Sequence, residues 1–208
     1  MTHFRIIAGL GNPGSRYEGT RHNVGFMALD RLASLPFGCE GRPRVGWRDR
    51  FGCAIAEIRL KDHDICLVKP LSFMNRSGEP LAEVLRYFKL SIEELVVVHD
   101  DIDLPLGTVR VKKGGGDAGH NGLKSVSASI GREFVRLRLG IGRPGETGEL
   151  SAAEQGGTDF RPAVSEWVLG KFMQAETPML NEVLDCAVNA IAELCISGLV
   201  VSQNKFNS

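Results

Sequence analysis

Residues 95–100 read LVVVHD, a continuous apolar run that ends in an imidazole and a carboxylate. Short apolar runs without polar alternation are typical of strands that a sheet buries on both faces. Sheets of that kind occur mainly in α/β proteins, where helices cover both sides. This stretch therefore predicts a fully buried strand with Asp100 at its carboxyl end.

The sequence on either side of this strand alternates between strand and helix patterns. Phe4–Leu10 is a second short apolar run, and Phe51–Leu60 with His63–Lys69 has the pattern of a β-hairpin. Helical spacing of apolar residues begins near Asn23 and again after Ser77. The predicted fold is α/β, a single-domain three-layer sandwich in which helices flank a twisted mixed β-sheet.

Length and composition agree with one globular domain over residues 1–208. Residues 145–160 are rich in Gly, Glu and Ser and are predicted to form a flexible loop, whereas 175–199 has the spacing of a C-terminal helix. We find no pattern of a signal peptide or a membrane span, and the five cysteines lack metal-ligand spacing. A cytoplasmic protein is expected.

Charge is balanced overall, with 25 basic and 25 acidic residues, but it is unevenly distributed. The segment Pro105–Pro144 contains eight bases and two acids, so it carries +6 and the remainder carries −6. A neutral protein with one basic segment can bind a polyanion locally.

The glycine-rich stretch Gly9–Gly14 matches the dinucleotide-binding pattern GxGxxG directly after a predicted strand. A true dinucleotide-binding motif would indicate a nucleotide-dependent oxidoreductase, and it requires its third glycine to lie inside a helix. Here Ser15–Thr20 continues as a loop, and helical periodicity starts only near Asn23. The stretch is better interpreted as a tight loop that directs the Asn12 side chain toward the edge of the sheet.

Five polar residues occur where predicted strands end and helices begin. They are Asn12, His22, Asn75, Asp100 and Asn121. Each alone has an ordinary role as a turn former or helix cap, and Asn121 is a plausible N-cap. Together, a histidine, a carboxylate and three amides are the groups needed to activate a water and to hold a carbonyl.

A metal cluster is the alternative for the acidic stretch near Asp100. Its ligands would be His99, Asp100, Asp101, Asp103 and His120. Alternation along a strand sends His99 and Asp101 to one side and Asp100 to the other, so that only part of the set converges. We therefore expect no metal.

Seven motifs follow one another along most of the chain. They are GLGNPG (9–14), YEGTRHNVG (17–25), KPLSFMNRSG (69–78), HDDIDLP (99–105), GHNG (119–122), RLRLGIGRP (136–144) and VLGKF (168–172). In this order they resemble the signatures of the bacterial-type peptidyl-tRNA hydrolase family. The resemblance implies a monomeric enzyme without cofactor that hydrolyses the ester between a nascent peptide and tRNA.

The same resemblance assigns roles to individual residues. It makes His22 the catalytic base and Asp100 its partner, with Asn12 as a third catalytic residue. It implies binding of the peptide or tRNA by Tyr17, Phe73, Met74, Asn75 and Asn121. The intact His22, Asn12 and Asp100 argue against a non-catalytic RNA-binding relative of the same fold.

Elementary chemistry agrees with this assignment. Imidazole titrates near pH ~6.5 and can accept a proton from water at neutral pH, and a carboxylate on its other nitrogen fixes the tautomer. The motifs contain no Ser or Cys placed as a nucleophile, so direct attack by water is the simpler scheme. Either Asn12 or Asn75 could donate to the developing oxyanion.

The basic segment contains two alternating strands. Arg110 and Lys112 share one face of the first, and Arg136 and Arg138 share one face of the second. If the intervening apolar residues are buried, the four cations emerge together as a patch for tRNA phosphates; a merely solvated face is the alternative. The resemblance places Lys112 and Arg138 at the tRNA phosphate, whereas Asp117 and Ala118 depart from the family pattern in the adjoining glycine loop.

Overall fold

Seven strands form one mixed sheet in the computed structural model, which describes residues 4–35, 46–144 and 163–207. The strands are β1 (Ile6–Gly9), β2 (Arg48–Arg50), β3 (Cys53–Leu60), β4 (His63–Pro70), β5 (Leu95–Asp101), β6 (Val109–Lys113) and β7 (Val135–Gly140). Their order in the sheet is β2-β3-β4-β1-β5-β7-β6. The four inner strands β4, β1, β5 and β7 are parallel, and the outer strands pair antiparallel.

The helices of the described residues cover both faces of this sheet. They are α1 (Val24–Ser34), α2 (Gly78–Phe88), α3 (Asn121–Ile130), α4 (Val164–Leu169), α5 (Thr177–Ser197) and α6 (Leu199–Phe206). None of them is long and apolar enough to cross a bilayer.

Strand β5 shows how the three layers are held together. All seven of its residues are buried, as its apolar run predicts. Val96 and Val98 belong to a core cluster that includes residues of α1 and α5, whereas Leu95 and Val97 belong to a second cluster with residues of α2 and α3. Alternate side chains of one strand therefore anchor opposite helical layers, which confirms the predicted α/β sandwich.

Local structure differs from the sequence-based expectation near residue 50. Residues 40–50 show no clear period and are predicted as a loop, but the structure has the edge strand β2 over Arg48–Arg50. All three residues are exposed and pair with β3, so the backbone ladder rather than any apolar alternation forms this strand. The loop predicted over 145–160 lies outside the described residues, and α5 occupies the stretch predicted as a C-terminal helix.

The glycine motif is followed by a 3-10 turn over Ser15–Tyr17, and a second 3-10 turn over Arg21–Asn23 leads into α1. The helix therefore begins at Val24, about ten residues after the third glycine of the motif. This geometry does not provide the helix N-terminus at the glycines that a pyrophosphate requires.

Helix α1 approaches the sheet through Gly25. A Cβ at this position would lie 2.5 Å from the carbonyl oxygen of Val98 in β5 and 2.6 Å from that of Leu10. Both neighbours are backbone atoms of the central sheet and cannot move aside like a flexible side chain. Gly25 consequently allows the turn that precedes α1 to lie directly over the carboxyl ends of β1 and β5.

We predict that Gly25→Ala lowers the free energy of unfolding by about 3 kcal/mol, since the added methyl must displace strand backbone. Chemical denaturation measures this loss. Gly46→Ala is the matched control, because its Cβ would enter open space at an exposed position, and it should change stability by less than about 0.5 kcal/mol. Equal effects of the two substitutions would contradict the close approach of α1.

Candidate active site

The site forms where the carboxyl end of β5 meets two turns that precede helices. Asp100 is the second-last residue of β5. His22 lies in the 3-10 turn before α1, and His120 lies directly before α3. The carboxylate oxygen Oδ1 of Asp100 is 2.8 Å from His22 Nδ1 and 2.9 Å from His120 Nε2. A single oxygen atom thus contacts two imidazole rings, whose centroids are 4.9 Å apart.

The hydrogen bonds of His120 determine where its proton lies. Its Nδ1 accepts from the backbone N–H groups of Gly122 and Leu123 at 3.1 and 3.3 Å, so the neutral ring must carry its proton on Nε2. That Nε2–H then donates to Asp100. Because the carboxylate can only accept, His22 likewise donates from Nδ1, which leaves His22 Nε2 without a proton.

The electrostatics of Asp100 follow from these two partners. Burial alone would raise the pKa of this carboxyl group. The opposing charge interactions with His120 and His22 and the hydrogen bonds from both rings outweigh burial, and the pKa of Asp100 falls below its ordinary value. Asp100 is therefore a stable carboxylate, which suits an orienting group better than a proton donor.

His120 belongs to this site through its hydrogen bond to Asp100, whereas the sequence suggested it only as a possible metal ligand. It is the N-cap of α3, and the prediction that Asn121 caps this helix is wrong because Asn121 is already its first residue. The GHNG motif at residues 119–122 offered the available signal, since a histidine directly before a helix can accept backbone N–H groups.

Asn12 occupies the predicted position after β1 and is buried. Its Oδ1 accepts from the backbone N–H of Met74 at 2.8 Å, and its main chain exchanges two hydrogen bonds with the side chain of Asn23. Since a backbone N–H only donates, the amide oxygen faces Met74 and the amide nitrogen is turned away from it. Asn23 follows His22 directly, so the Asn12 loop and the His22 turn are connected.

The predicted substrate residues separate into two groups. Met74 is buried and packs against the start of α3, where a Cβ on Gly122 would lie 2.5 Å from its sulfur. Asn75, Asn121 and Phe73 are exposed, the last at 55%. Phe73 meets Tyr17 edge to face, with ring centroids 6.2 Å apart.

A cavity of about 220 Å³ opens beside the two histidines. Its lining includes His22, His120, Asn121, Lys112, Arg138 and Val168. Asp100 and Arg136 also line it. The other predicted site residues lie outside this lining; they are Asn12, Asn75, Tyr17, Phe73, Met74 and Arg110. The cavity therefore extends from the imidazoles toward the basic strands, and of the three predicted amide residues only Asn121 lines it.

The basic strands pair as expected but do not present four cations. Arg110 lies opposite Arg138, and Lys112 lies opposite Arg136, so all four share one face of the sheet. Arg136 is nevertheless only 2% exposed, because its guanidinium donates to the carbonyl oxygens of Gly115 and Gly116. The prediction that Arg136 emerges from this face is wrong.

The remaining three cations differ in their accessibility. Lys112 is exposed, whereas Arg138 is partly buried and its Nε donates to Asp101 at 2.7 Å. Arg110 donates to the carbonyl oxygen of Phe206 at the end of α6. The cationic surface next to the cavity therefore consists mainly of Lys112 and the part of the Arg138 guanidinium that does not contact Asp101.

Asp117, the unusual acid of the glycine loop, also faces inward. Its Oδ1 accepts from the hydroxyl of Ser127 in α3 at 2.8 Å and lies 3.6 Å from Arg136. The next residue, Ala118, has a φ of 45° in the left-handed region that disfavours side chains. Asp117 thus holds the loop against α3 and offsets the charge of Arg136.

The proposed alternative metal cluster is not assembled by these residues. His99 donates from Nδ1 to the main-chain carbonyl oxygen of Asp100 at 2.7 Å rather than facing the carboxylate of Asp100, and burial together with His120 lowers the pKa of His99. Asp101 and Asp103 pair with Arg138 and Arg143. Ligand atoms of His22, Asp100 and His120 do lie within 4.8 Å of one another, but the hydrogen bonds described above occupy those atoms.

The fold and the site define an α/β enzyme whose centre is a buried carboxylate shared by two imidazoles. The sequence matches the model of the family described as Peptidyl-tRNA hydrolase over residues 6–208. It is 41% identical to a peptidyl-tRNA hydrolase of Methylobacterium nodulans over 97% of this chain and 89% of that protein. It is 42% identical to one of Kineococcus radiotolerans over 100% and 99% of the two chains.

Solved structures give the same result. The crystal structure of peptidyl-tRNA hydrolase from Acinetobacter baumannii is similar with a TM-score of 0.83 and 32% sequence identity, over 100% of this chain and 96% of that one. The chain belongs to the peptidyl-tRNA hydrolase family and is a hydrolase.

The lowered pKa of Asp100 predicts how its contribution to stability depends on pH. Its carboxylate stabilises the folded state fully above the ordinary carboxyl pKa of ~3.9, and this contribution is lost as pH falls through the lower folded-state value. Asp100→Asn should therefore cost about 2 kcal/mol near pH 6 and progressively less below pH ~4. Urea denaturation across this range measures the difference.

The exposed Asp185, which pairs with Arg31, provides the control. Asp185→Asn should cost less than about 1 kcal/mol over the same range, as expected for an exposed ion pair. A cost of Asp100→Asn that grows toward acid would contradict the assigned direction of its pKa shift.

Proposed function

We propose that this protein hydrolyses the ester bond between the nascent peptide and the tRNA in peptidyl-tRNA, using water activated by His22 and no metal. The products are free peptide and recyclable tRNA. The observation that carries this proposal is the hydrogen bond from His22 Nδ1 to Asp100, which leaves His22 Nε2 able to accept a proton. The side chain of His22 is 12% exposed, and it lines the cavity.

The His22 ring alone accepts and returns the proton that the reaction moves. His22 Nε2 removes a proton from water as the water oxygen attacks the ester carbonyl carbon, and Asp100 stabilises the resulting imidazolium. Collapse of the tetrahedral intermediate breaks the bond to the ribose oxygen. The imidazolium then returns its proton to that oxygen, so one water is consumed and His22 is regenerated.

We assign stabilisation of the oxyanion to Asn12, whose main chain is hydrogen-bonded to Asn23, the residue directly after His22. Its oxygen is held by Met74, and its Nδ2 has no partner among the residues that the structure describes. A fixed donor costs little reorganisation when negative charge develops on the carbonyl oxygen. Asn75 and Asn121 are exposed and in our proposal contact the substrate, together with Tyr17 and Phe73 on the peptide side. Met74 is only 4% exposed and contributes by holding the Asn12 side chain through its backbone N–H.

A metal-free mechanism agrees with the chemistry of the donor set. His120 Nδ1 accepts two backbone N–H groups, and its Nε2 carries the proton that Asp100 accepts. A cation bound among His22, Asp100 and His120 would have to displace these protons. An ester is also an activated acyl group, whose cleavage does not demand a Lewis acid.

We further propose that the exposed cationic face binds tRNA phosphate through Lys112 and Arg138, with Arg110 nearby. The face adjoins the cavity that contains His22, so a bound acceptor arm would place its esterified end at the imidazole. Binding through phosphates is sequence-independent and suits an enzyme that acts on many tRNAs. Such an enzyme would work in the cytoplasm as a monomer in translation and ribosome rescue.

We predict that His22→Ala lowers the rate of N-acyl-aminoacyl-tRNA hydrolysis by about 10²- to 10⁴-fold, because the general base is lost. Release of the labelled acyl-amino acid under single-turnover conditions measures this rate. His63→Ala, in the remote β3–β4 hairpin, should retain the wild-type rate. The proposal fails if the wild type releases no product or if His22→Ala is fully active.

We predict that Lys112→Ala and Arg138→Ala weaken tRNA binding and retain the single-turnover rate. Each should reduce the slope of log Kd against the logarithm of the salt concentration by about 1. Titration of tRNA at several salt concentrations measures both quantities. Arg86→Ala, which removes an exposed cation from α2 on another part of the surface, should leave the slope unchanged. An unaltered slope in the first two variants would exclude a phosphate-binding role.

A further inference from the structure

The residue directly before His22 has no part in the proposed chemistry, yet it is one of the most buried charges of the described residues. Arg21 is 2% exposed. Its Nη2 donates to both carboxylate oxygens of Glu176 at 2.8 and 2.7 Å, and its Nη1 donates to the carbonyl oxygen of Lys171. Glu176 is itself buried, with 7% of its surface exposed.

Aromatic rings complete the surroundings of this guanidinium. Its central carbon lies 3.8 Å from the ring centroid of Trp167 and 5.0 Å from that of Phe172. Stacking on a ring, with the two terminal nitrogens donating to different residues, matches the planar guanidinium of arginine and not the point charge of lysine. The pocket is therefore built for Arg21 in one orientation.

Backbone contacts tie the same turn to the same segment. The N–H of Arg21 donates to the carbonyl oxygen of Gly170 at 2.9 Å, and Thr20 forms an isolated β-bridge with Lys171. The segment is fixed in turn, since Trp167 donates from its indole to the carbonyl oxygen of Gly142. The residues that surround Arg21 thus form a rigid support rather than a loose loop.

His22 consequently lies between two anchors. Arg21 holds one side of its turn to residues 167–176, and Asn23 holds the other side to the Asn12 loop. Buried ion pairs contribute little net stability, because desolvation of both charges offsets their attraction. Their best-attested use is to select one arrangement among several, and the arrangement selected here includes the 2.8 Å contact of His22 with Asp100.

We propose that Arg21 is a positioning residue of the reaction, which sets the His22 ring in register with Asp100 by clamping its turn to Glu176, Lys171 and Trp167. This inference rests on the proposed function of His22 as the base. A catalytic group displaced by about 1 Å can lose up to 10²-fold in rate. Loss of the clamp should therefore affect the chemical step more than substrate binding.

Single-turnover hydrolysis of N-acyl-aminoacyl-tRNA by Arg21→Met and Glu176→Gln tests this inference, with KM and the pH profile measured in parallel. We expect kcat to fall about 10- to 100-fold and KM to change less than about 3-fold. The pH profile should change along with kcat, because a displaced ring no longer meets the Asp100 carboxylate at hydrogen-bond distance. Arg21→Lys should recover only part of the lost rate.

The matched control is Arg31→Leu. Arg31 also links the N-terminal part of the chain to α5 through a carboxylate, Asp185, but this pair is exposed and its helix does not carry His22. If Arg21→Met does not fold, Glu176→Gln alone provides the measurement, since Gln has nearly the same size as Glu176 but removes the charge and one of the two oxygens that accept from Arg21.

Three outcomes are distinguishable. A wild type without hydrolytic activity would overturn the proposed function itself. An active wild type with unchanged kcat and pH profile in Arg21→Met and Glu176→Gln would overturn the positioning role alone. A loss of rate that Arg31→Leu reproduces, or that Arg21→Lys restores completely, would likewise show that the geometry of the guanidinium clamp is not required.

Discussion

The central constraint of this structure is that one oxygen atom, Oδ1 of Asp100, accepts hydrogen bonds from two imidazoles. Because Nδ1 of His120 accepts backbone N–H groups at the start of α3, the ring carries its proton on Nε2 and donates it in a hydrogen bond to Asp100. The carboxylate of Asp100 stays ionised despite its burial. The same oxygen then fixes the proton of His22 on Nδ1. The direction of each hydrogen bond follows from the one before it, starting at the N-terminus of a helix.

The fold serves to bring these three groups to one point. Asp100 is held by the fully buried strand β5, and Gly25 lets the turn that carries His22 lie over the end of that strand. His120 arrives from the opposite helical layer at the start of α3. The strands β6 and β7 lie beside this centre, and Lys112 and Arg138 of these strands line the cavity next to the two histidines.

Sequence patterns predict the sheet and both helical layers because burial imposes the periodicity directly, as in the run that became β5. They predict less about contacts that depend on tertiary approach. His120 meets Asp100 only because the glycine loop turns α3 toward β5. Alternation places Arg136 on the correct face, but it contains no information about the Gly115 and Gly116 carbonyl groups that cover its guanidinium. Polar residues at element ends are predictable as a set; their individual partners are not.

The two hydrogen bonds that converge on Asp100 can be tested through the tautomers of His22 and His120. Nitrogen NMR of histidine-labelled protein at neutral pH, assigned with single His→Gln variants, distinguishes the protonated nitrogen of each ring. We expect His22 to carry its proton on Nδ1 and His120 to carry its proton on Nε2. A His22 ring protonated on Nε2 would contradict it, since that nitrogen could then not accept a proton from water.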